Sequence, residues 1–412
     1  MHFARLVRCC AFALVLALPA ASHAKDPDWL PGARAREAKL NDAKPFSSSD
    51  GRLTGRAVAK LAGKVEAQDG AYHLEFDIGS WAPIYCEVLP EGINTAHILR
   101  LSADRTFEAV ATAQGKVETK TVTSIDSGAI GPYPYLALNW EYRARSATTP
   151  IIGALKQIAV DLHSYGVYCA HVDLGYVRTF DAIARGLVES LSLQGAAATP
   201  QYVELQTITL AGRRVGIAKW IVQAHDDGDL KSLVSSAMLL PAASGVVVAQ
   251  DAANTQWTAP DGELINAAHS VMLDGRKTVE VALDPVGGPG AAHWLAAGTF
   301  NGHPVDADFG ADAPVSLMRQ ARARRALLDD TAAAGKTASD RMWLATDPTR
   351  LTTTTLRVGD KDPAGRHAAT ESAGPLEMEH VIDPGTGTFV TTRMPSGADT
   401  LLFERVFLQG AF

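Results

Sequence analysis

Alternating apolar and polar positions predict β-strands in both halves of the chain. From Ala71 to Ile78, the apolar residues Tyr72, Leu74 and Phe76 alternate with charged or polar ones. This is the pattern of a strand with one buried face. Further strands are predicted at Tyr135–Arg143, Val167–Asp173, Tyr202–Leu210, Val215–Ala224, Gly245–Ala249, Val271–Leu273, Glu377–Ile382, Thr388–Arg393 and Leu401–Leu408.

Helical periodicity appears in three places. Residues 179–193 carry apolar side chains at spacings of three and four, which predicts an amphipathic helix. Thr149-Pro150 reads as a helix start, and Ile151, Leu155 and Ile158 continue at helical spacing, so a helix is predicted over 150–164. A third helix is predicted over 314–328, with partial helix around 33–40.

These elements together predict an α+β fold with two domains. Residues 61–195 form the expected mixed α+β domain, and residues 200–412 the expected larger, mostly antiparallel β domain with an inserted helix near 314–328. Residues 25–60 are interpreted as an N-terminal arm or linker. The boundary is placed at the alanine-rich stretch 196–200.

The N-terminus has the layout of a secretory signal peptide. Arg5 and Arg8 precede an apolar run at 11–18, and Ser22 and Ala24 flank a cleavage position. The run is shorter than the roughly 20 residues that a membrane span requires. We therefore expect removal of residues 1–24, no transmembrane segment in the mature chain, and export to the periplasm, with secretion as the alternative.

The charge balance argues against a nucleic-acid partner. The whole chain has 38 basic and 45 acidic residues, and residues 1–24 contain two arginines and no acid. The mature chain therefore has 36 basic and 45 acidic residues, a net charge of −9. Nucleic-acid binding requires a basic surface instead.

Cys86 and Cys169 are the two cysteines beyond the signal peptide, and both lie in strand-like segments. An even number of cysteines in an exported protein predicts a disulfide. His171 and Asp173 should share a strand face with Cys169. That arrangement leaves a thiol nucleophile or a metal site as an alternative, although strand neighbours 6–7 Å apart are too distant for direct hydrogen bonds.

One basic cluster stands out in the acidic chain. Arg319, Arg322 and Arg325 fall near one face of the third predicted helix. They could bind an anionic lipid, glycan or protein partner, or they could be a solvated face that pairs with Asp329 and Asp330.

Two motifs suggest cofactors that the surrounding residues do not support. The sequence AAAGKT at 332–337 resembles a phosphate-binding loop, but Asp330 occupies the position of its first glycine, so a helix end and loop are predicted instead. His225–Asp229 contains three carboxylates, but its spacing does not match a calcium loop, so a hairpin turn is predicted. No nucleotide, other cofactor or metal is expected.

No hydrolase elbow, zinc-protease motif or paired Cys-x-x-Cys is present. The leading hypothesis is an exported envelope protein that binds a partner, glycan or small ligand without catalysis. The alternatives are an exported hydrolase with a site assembled from distant residues, and a structural or assembly factor.

Overall fold

The computed structural model describes residues 26–90, 92–145, 150–196, 199–242, 246–287, 293–329 and 333–411. These residues form two compact units. The N-terminal unit contains the described residues up to 196, and the C-terminal unit contains those of 199–238 and 249–411. The described residues of 239–248, which include the end of one strand of the C-terminal sheet and the start of the next, cluster with the N-terminal unit. The signal-peptide prediction falls on residues outside the described part of the chain.

The N-terminal unit combines two antiparallel sheets with short and long helices. Its helices are α1 (Leu30–Arg34), α2 (Thr95–Gln114) and α3 (Val177–Ser190). Its strands are β1 (Lys44–Ser47), β2 (Leu53–Ala57), β3 (Lys60–Leu61), β4 (Glu66–Gln68), β5 (Ala71–Asp77), β6 (Ile84–Leu89), β7 (Lys116–Ile130), β8 (Tyr133–Arg145), β9 (Pro150–Asp161), β10 (Gly166–His171) and β11 (Ser192–Leu193).

The larger sheet of this unit has the strand order β3-β5-β6-β10-β9-β8-β7, with β4 paired to β5. The smaller sheet has the order β1-β2-β11. Helix α2 packs against β7, β8 and β9, and α3 packs against β2, β7, β9 and β10. Cys86, Cys169, Ile158 and the apolar face of α3 belong to one buried core.

The C-terminal unit is one antiparallel sheet of fourteen strands and one helix among the described residues. The helix is α4 (Leu317–Leu328). The strands are β12 (Tyr202–Leu210), β13 (Arg213–Ala224), β14 (Leu230–Pro241), β15 (Val247–Thr258), β16 (Leu264–Leu273), β17 (Arg276–Val286), β18 (His293–Phe300), β19 (His303–Asp308), β20 (Thr337–Trp343), β21 (Leu351–Lys361), β22 (His367–Ala373), β23 (Leu376–Ile382), β24 (Phe389–Ser396) and β25 (Asp399–Gly410).

In this sheet, the strand that comes first along the chain, β12, pairs with the strand that comes last, β25. Consecutive strands pair from β12 to β19 and from β20 to β25, and β25 then pairs with β12. The ends of the sheet are therefore β19 and β20. The chain between these two strands carries α4.

Helix α4 packs on the sheet through apolar residues near both of its ends. Met318 packs with Tyr202 and Leu230, while Leu328 packs with Leu356 and Ile382. The Ser316 hydroxyl caps the helix by accepting a hydrogen bond from the Arg319 amide at 3.0 Å. The buried face between the apolar ends carries the polar residues Gln320 and Arg324.

The predicted α+β class, with a mixed N-terminal domain, is wrong. The protein is mostly antiparallel β, with 57% strand and 14% helix. The segment predicted as a helix over 150–164 forms strand β9. Every residue from Leu155 to Val160 is buried because α2 and α3 cover its two faces. A strand covered on both faces loses its apolar–polar alternation, so its apolar residues coincided with helical spacing.

Other elements follow the sequence patterns closely. The amphipathic helix is confirmed as α3, with Phe180, Ile183, Ala184, Leu187 and Val188 on its buried face. Strand β5 is confirmed, and so is the hairpin of β12 and β13. Helix α2 was missed. The domain boundaries inferred from the sequence, including the arm at 25–60, stay predictions.

None of the helices in the described residues is long and apolar enough to cross a membrane.

Candidate functional site

Cys86 and Cys169 form a disulfide that joins two neighbouring strands of the N-terminal unit. The residues face each other in the pairing of β6 with β10, and both are completely buried. Since a bridged sulfur is no nucleophile, Cys169 does not act as a catalytic thiol in this state.

His171 and Asp173 come together at the end of β10 through a serine that the sequence did not single out. Ser80, in the loop between β5 and β6, donates a hydrogen bond to Asp173 Oδ2 at 2.8 Å. Its Oγ also lies 3.3 Å from His171 Nε2 and accepts from the Ala82 amide at 3.3 Å. The Tyr176 ring meets the His171 ring edge-on at 5.6 Å.

The electrostatics of this cluster keep His171 neutral. Burial, reinforced by nearby Lys156, lowers the pKa of His171 to about 4. Burial also lowers the pKa of Lys156 to about 8, against the opposing effects of Asp173 and Glu37. Lys156 Nζ donates a hydrogen bond to the Asp173 carbonyl.

This geometry differs from a Ser-His-Asp relay. In such a relay the carboxylate binds histidine Nδ1, while Nε2 takes the serine proton. Here Asp173 takes the Ser80 hydrogen bond itself, and His171 Nδ1 has no hydrogen-bond partner within the described ranges. The cluster fastens the 78–83 loop to the end of β10.

The three arginines predicted as an anionic-partner patch lie on the outer side of α4. Arg319 and Arg325 are exposed, and Arg322 is partly buried. Arg322 Nη1 donates a hydrogen bond to the Pro260 carbonyl at 2.8 Å, so one of its donors is already used within the protein. The role of the patch stays a prediction.

The fourth arginine of the same run faces the other way. Arg324 is 5% exposed and lines a cavity of about 180 Å³ between α4 and the sheet. The cavity also has apolar walls from Trp220 and Phe389 and polar groups from Glu204 and Gln320. Its remaining lining residues are Gln206, Ala218, Lys219, Val234, Leu317 and Thr388.

Arg324 is held rigidly by its neighbours. Its Nε donates to the Gly387 carbonyl at 3.0 Å, and its Nη1 donates to Gln320 Oε1 at 3.0 Å. The guanidinium lies 4.4 Å from the centre of the Phe389 ring, and the His380 ring stacks on Phe389 at 3.8 Å. Stacking of this kind suits a planar, weakly hydrated cation.

No carboxylate in the described part of the chain forms an ion pair with Arg324, although it is buried. Burial lowers its pKa, while the more distant Glu371, Asp340 and Glu204 act in the opposite direction. A buried charge without a direct partner is costly. The guanidinium therefore gives the cavity an electrostatic preference for anions.

Glu204 has hydrogen-bond and ion-pair partners of its own within the same layer. Its Oε2 accepts from the Tyr202 hydroxyl at 2.5 Å, and its Oε1 accepts from Gln206 at 2.7 Å. Arg405 Nη1 lies 4.0 Å from Glu204 Oε2, and Arg405 Nη2 donates to Asp383 at 2.6 Å. Arg405 is thus paired by two carboxylates, in contrast to Arg324.

Sequence inspection missed this site because its residues come from distant segments. Two signals were present. Arg324 shares the buried stripe of α4 with Met318, Ala321 and Leu328, and Glu204 is the one charged residue of strand β12. A charge at a core-facing position is the signal that could have identified each of them.

The two cofactor-like motifs adopt simple turns. His225–Asp229 connects β13 with β14, and the Gly228 amide donates to the His225 carbonyl at 3.0 Å, so the hairpin turn is confirmed. Residues 330–332 lie outside the described ranges, but 333–336 form a turn that leads into β20. A helix therefore precedes this loop and a strand follows it, the reverse of a phosphate-binding loop. The described residues contain no group of three or more potential metal ligands.

The chain has a distant structural likeness to a known protein. A crystal structure titled as a beta-barrel-like protein of domain of unknown function DUF1849 from Brucella abortus is 13% identical, with a TM-score of 0.39. The match covers 52% of this chain and 99% of that chain. No family model and no curated protein matches the sequence. A likeness at this level assigns the chain neither a fold nor a function.

Proposed function

We propose that this protein is an exported, non-catalytic binding protein whose cavity beneath α4 takes a small organic anion. The observation that carries the proposal is Arg324, which is buried on the cavity wall without a carboxylate partner among the described residues. Export rests on the signal-peptide pattern and is consistent with the disulfide.

The volume and the lining residues of the cavity fit a short aliphatic carboxylate best among small organic anions. A volume of about 180 Å³ corresponds to roughly six water molecules. The lining offers the Arg324 guanidinium, which matches the planar geometry of a carboxylate. The Trp220 and Phe389 rings and Leu317 offer contacts for a short hydrocarbon tail.

Calorimetry with butyrate, and with butyramide as its uncharged counterpart, tests the proposal. We expect butyrate to bind and butyramide to bind at least tenfold more weakly. Arg324→Gln should weaken butyrate binding roughly 10- to 100-fold, the value of a hydrogen bond to a charged group. Arg325→Gln, on the outer side of the same helix, is the matched control and should leave binding unchanged.

Glu204→Gln covers the case in which Arg324→Gln fails to fold. Removing this negative charge from the cavity lining should strengthen butyrate binding. Absence of butyrate binding at millimolar concentration in the wild type, or equal affinities in wild type and Glu204→Gln, would overturn the proposal.

The second candidate function is an exported hydrolase, favoured by the Ser80–His171 contact. Its expected signature is hydrolysis of small esters that Ser80→Ala abolishes and that Ser192→Ala, an exposed serine of the same unit, leaves intact. Asp173 accepts its hydrogen bond from Ser80 rather than from His171 Nδ1. We therefore expect no ester hydrolysis above background in the wild type or in either serine variant.

A further inference from the structure

A second cavity lies in the N-terminal unit, between α2 and the face of the larger sheet. Its volume is about 290 Å³, and its floor is formed by Tyr85 and Glu87 of β6 and by Tyr168 of β10. Residues of β6 alternate between the two faces of the sheet, so Cys86 points into the disulfide core while Tyr85 and Glu87 point to this cavity.

Glu87 is held in place but keeps one oxygen available. The Tyr85 hydroxyl donates to Glu87 Oε1 at 2.6 Å, and His73 Nδ1 contacts the same hydroxyl and lies 3.5 Å from Glu87 Oε1. Glu87 Oε2 has no hydrogen-bond partner within the described ranges, and the side chain is 24% exposed. The cavity floor therefore presents a partly desolvated carboxylate oxygen with a fixed orientation.

Helix α2 supplies an opposite charge at the same cavity. Leu101, Ser102, Arg105 and Thr106 lie on one helical face and all line it. The Ser102 hydroxyl is engaged with the Tyr168 hydroxyl. Arg105 is exposed, and no carboxylate in the described part of the chain pairs with it. The Arg105 guanidinium, which no carboxylate of the described residues pairs, thus lies at the exposed edge of the cavity.

The remaining walls are apolar. The cavity is also lined by Ile98 and Leu101 of α2, Pro83 of the loop before β6, and Val172 after β10. A ligand that satisfies all three features has an ammonium group for Glu87, a carboxylate for Arg105 and an apolar side chain for the walls.

We propose that this cavity binds a small zwitterion, either a free α-amino acid with an apolar side chain or the equivalent end groups of a short peptide. The site is separate from the Arg324 cavity and does not depend on the function proposed for it. About 290 Å³, or roughly ten water volumes, accommodates a molecule of leucine size.

Calorimetry of the purified full chain with leucine, leucinamide, N-acetyl-leucine and leucyl-leucine tests this site. We expect leucine to bind at least tenfold more tightly than leucinamide or N-acetyl-leucine, because each of those lacks one charge. If leucyl-leucine binds more tightly than leucine, the ligand of this cavity is a short peptide. If leucine binds more tightly, the ligand is a free amino acid.

Matched variants assign the two charges. Glu87→Gln should lower the affinity for leucine at least tenfold but leave the already weak affinity for N-acetyl-leucine, which has no ammonium group, unchanged. Arg105→Gln should also lower the affinity for leucine at least tenfold but leave the weak affinity for leucinamide, which has no carboxylate, unchanged. Glu108→Gln, on α2 but outside the cavity lining, should have no effect. The proposal is overturned if neither leucine nor leucyl-leucine shows binding at ligand concentrations of about 10 mM. It is also overturned if Glu87→Gln and the wild type bind leucine with equal affinity.

Discussion

Cys86 and Cys169 lie directly opposite each other on antiparallel strands β6 and β10, with their Cα atoms 4.1 Å apart. The bridge closes a loop with a sequence separation of 83 residues at the centre of the N-terminal unit's core. It therefore joins β6 to β10, two strands that α2, β7, β8 and β9 separate along the chain.

Loss of this disulfide should destabilise the N-terminal unit strongly. Chain entropy for a loop of this length corresponds to about 4.5 kcal/mol, so Cys86→Ala/Cys169→Ala should lower the urea midpoint by the equivalent amount. Ser49→Ala/Ser192→Ala, which changes two exposed serines of the same unit, is the matched control and should leave the midpoint unchanged. Equal midpoints for the two double variants would contradict the assigned stabilisation.

Acid should destabilise the C-terminal unit through His269. Its Nε2 lies 3.3 Å from the Trp343 carbonyl, and burial lowers its pKa from 6.5 to about 4. Between those values the unfolded chain binds more protons than the folded chain, so stability is complete above pH 6.5 and falls as pH approaches 4. For these pKa values the loss is about 2 kcal/mol between pH 7 and pH 5.

Urea unfolding at both pH values measures this effect. His269→Gln keeps a donor for the Trp343 carbonyl and should remove about 2 kcal/mol of the pH dependence. His293→Gln, an exposed histidine of the same unit, should leave the dependence as it is. If His269→Gln retains the full pH dependence, His269 is not the titrating group.

Gly387 should tolerate no side chain, because the backbone of α4 lies against it. Its φ is +70°, and an added Cβ would lie 2.2 Å from the Ala321 carbonyl oxygen and 2.8 Å from the Arg325 amide nitrogen. We expect Gly387→Ala to cost about 2–4 kcal/mol through backbone strain and displacement of the helix. It should also weaken butyrate binding, because Gly387 positions Arg324.

Gly365→Ala separates strain from contact in that experiment. Gly365 has a similar φ of +80°, but nothing lies within 4 Å of its added Cβ. Its cost should be only about 1–2 kcal/mol. Equal costs for the two variants would mean that the close approach to α4 contributes nothing.

The outer arginines of α4 give a salt-dependent prediction. If they serve an anionic partner, binding to vesicles containing anionic lipid should fall as the Debye length shortens from about 10 Å at 0.1 M to about 3 Å at 1 M. Changing Arg319, Arg322 and Arg325 to alanine should remove most of that binding. Cosedimentation with the vesicles measures it.

The control for this triple variant changes three other exposed arginines and so has the same net charge. These residues are Arg213, Arg276 and Arg357. A similar loss in both triple variants would point to net charge rather than to a patch on α4, and unchanged binding after the first would remove the anionic-partner hypothesis.

The sequence by itself determined the elements that bury one face, together with the disulfide. In α3, the apolar residues, such as Ile183 and Leu187, recur at helical spacing because one face of the helix packs on a sheet and the other meets solvent. The Cys86–Cys169 pairing was predictable because two cysteines lie beyond the predicted signal peptide and permit one intrachain bridge.

The sequence did not determine which elements would be covered on both faces. Leu155 and Ile158 of β9 point to opposite sides of one strand, yet both are buried, because α2 covers one face and α3 the other. Which helix covers a strand depends on long-range packing, and a strand without alternation is indistinguishable from a buried helix by periodicity.

Only the tertiary structure decided the site around Arg324. Glu204, Arg324 and Phe389 come from β12, α4 and β24, and they meet because β25 pairs with β12 while α4 lies on the resulting sheet. Each local pattern is compatible with many strand orders. The cavity and its uncompensated charge arise from non-local pairing, whose free energy depends on the whole sheet rather than on any segment of the sequence.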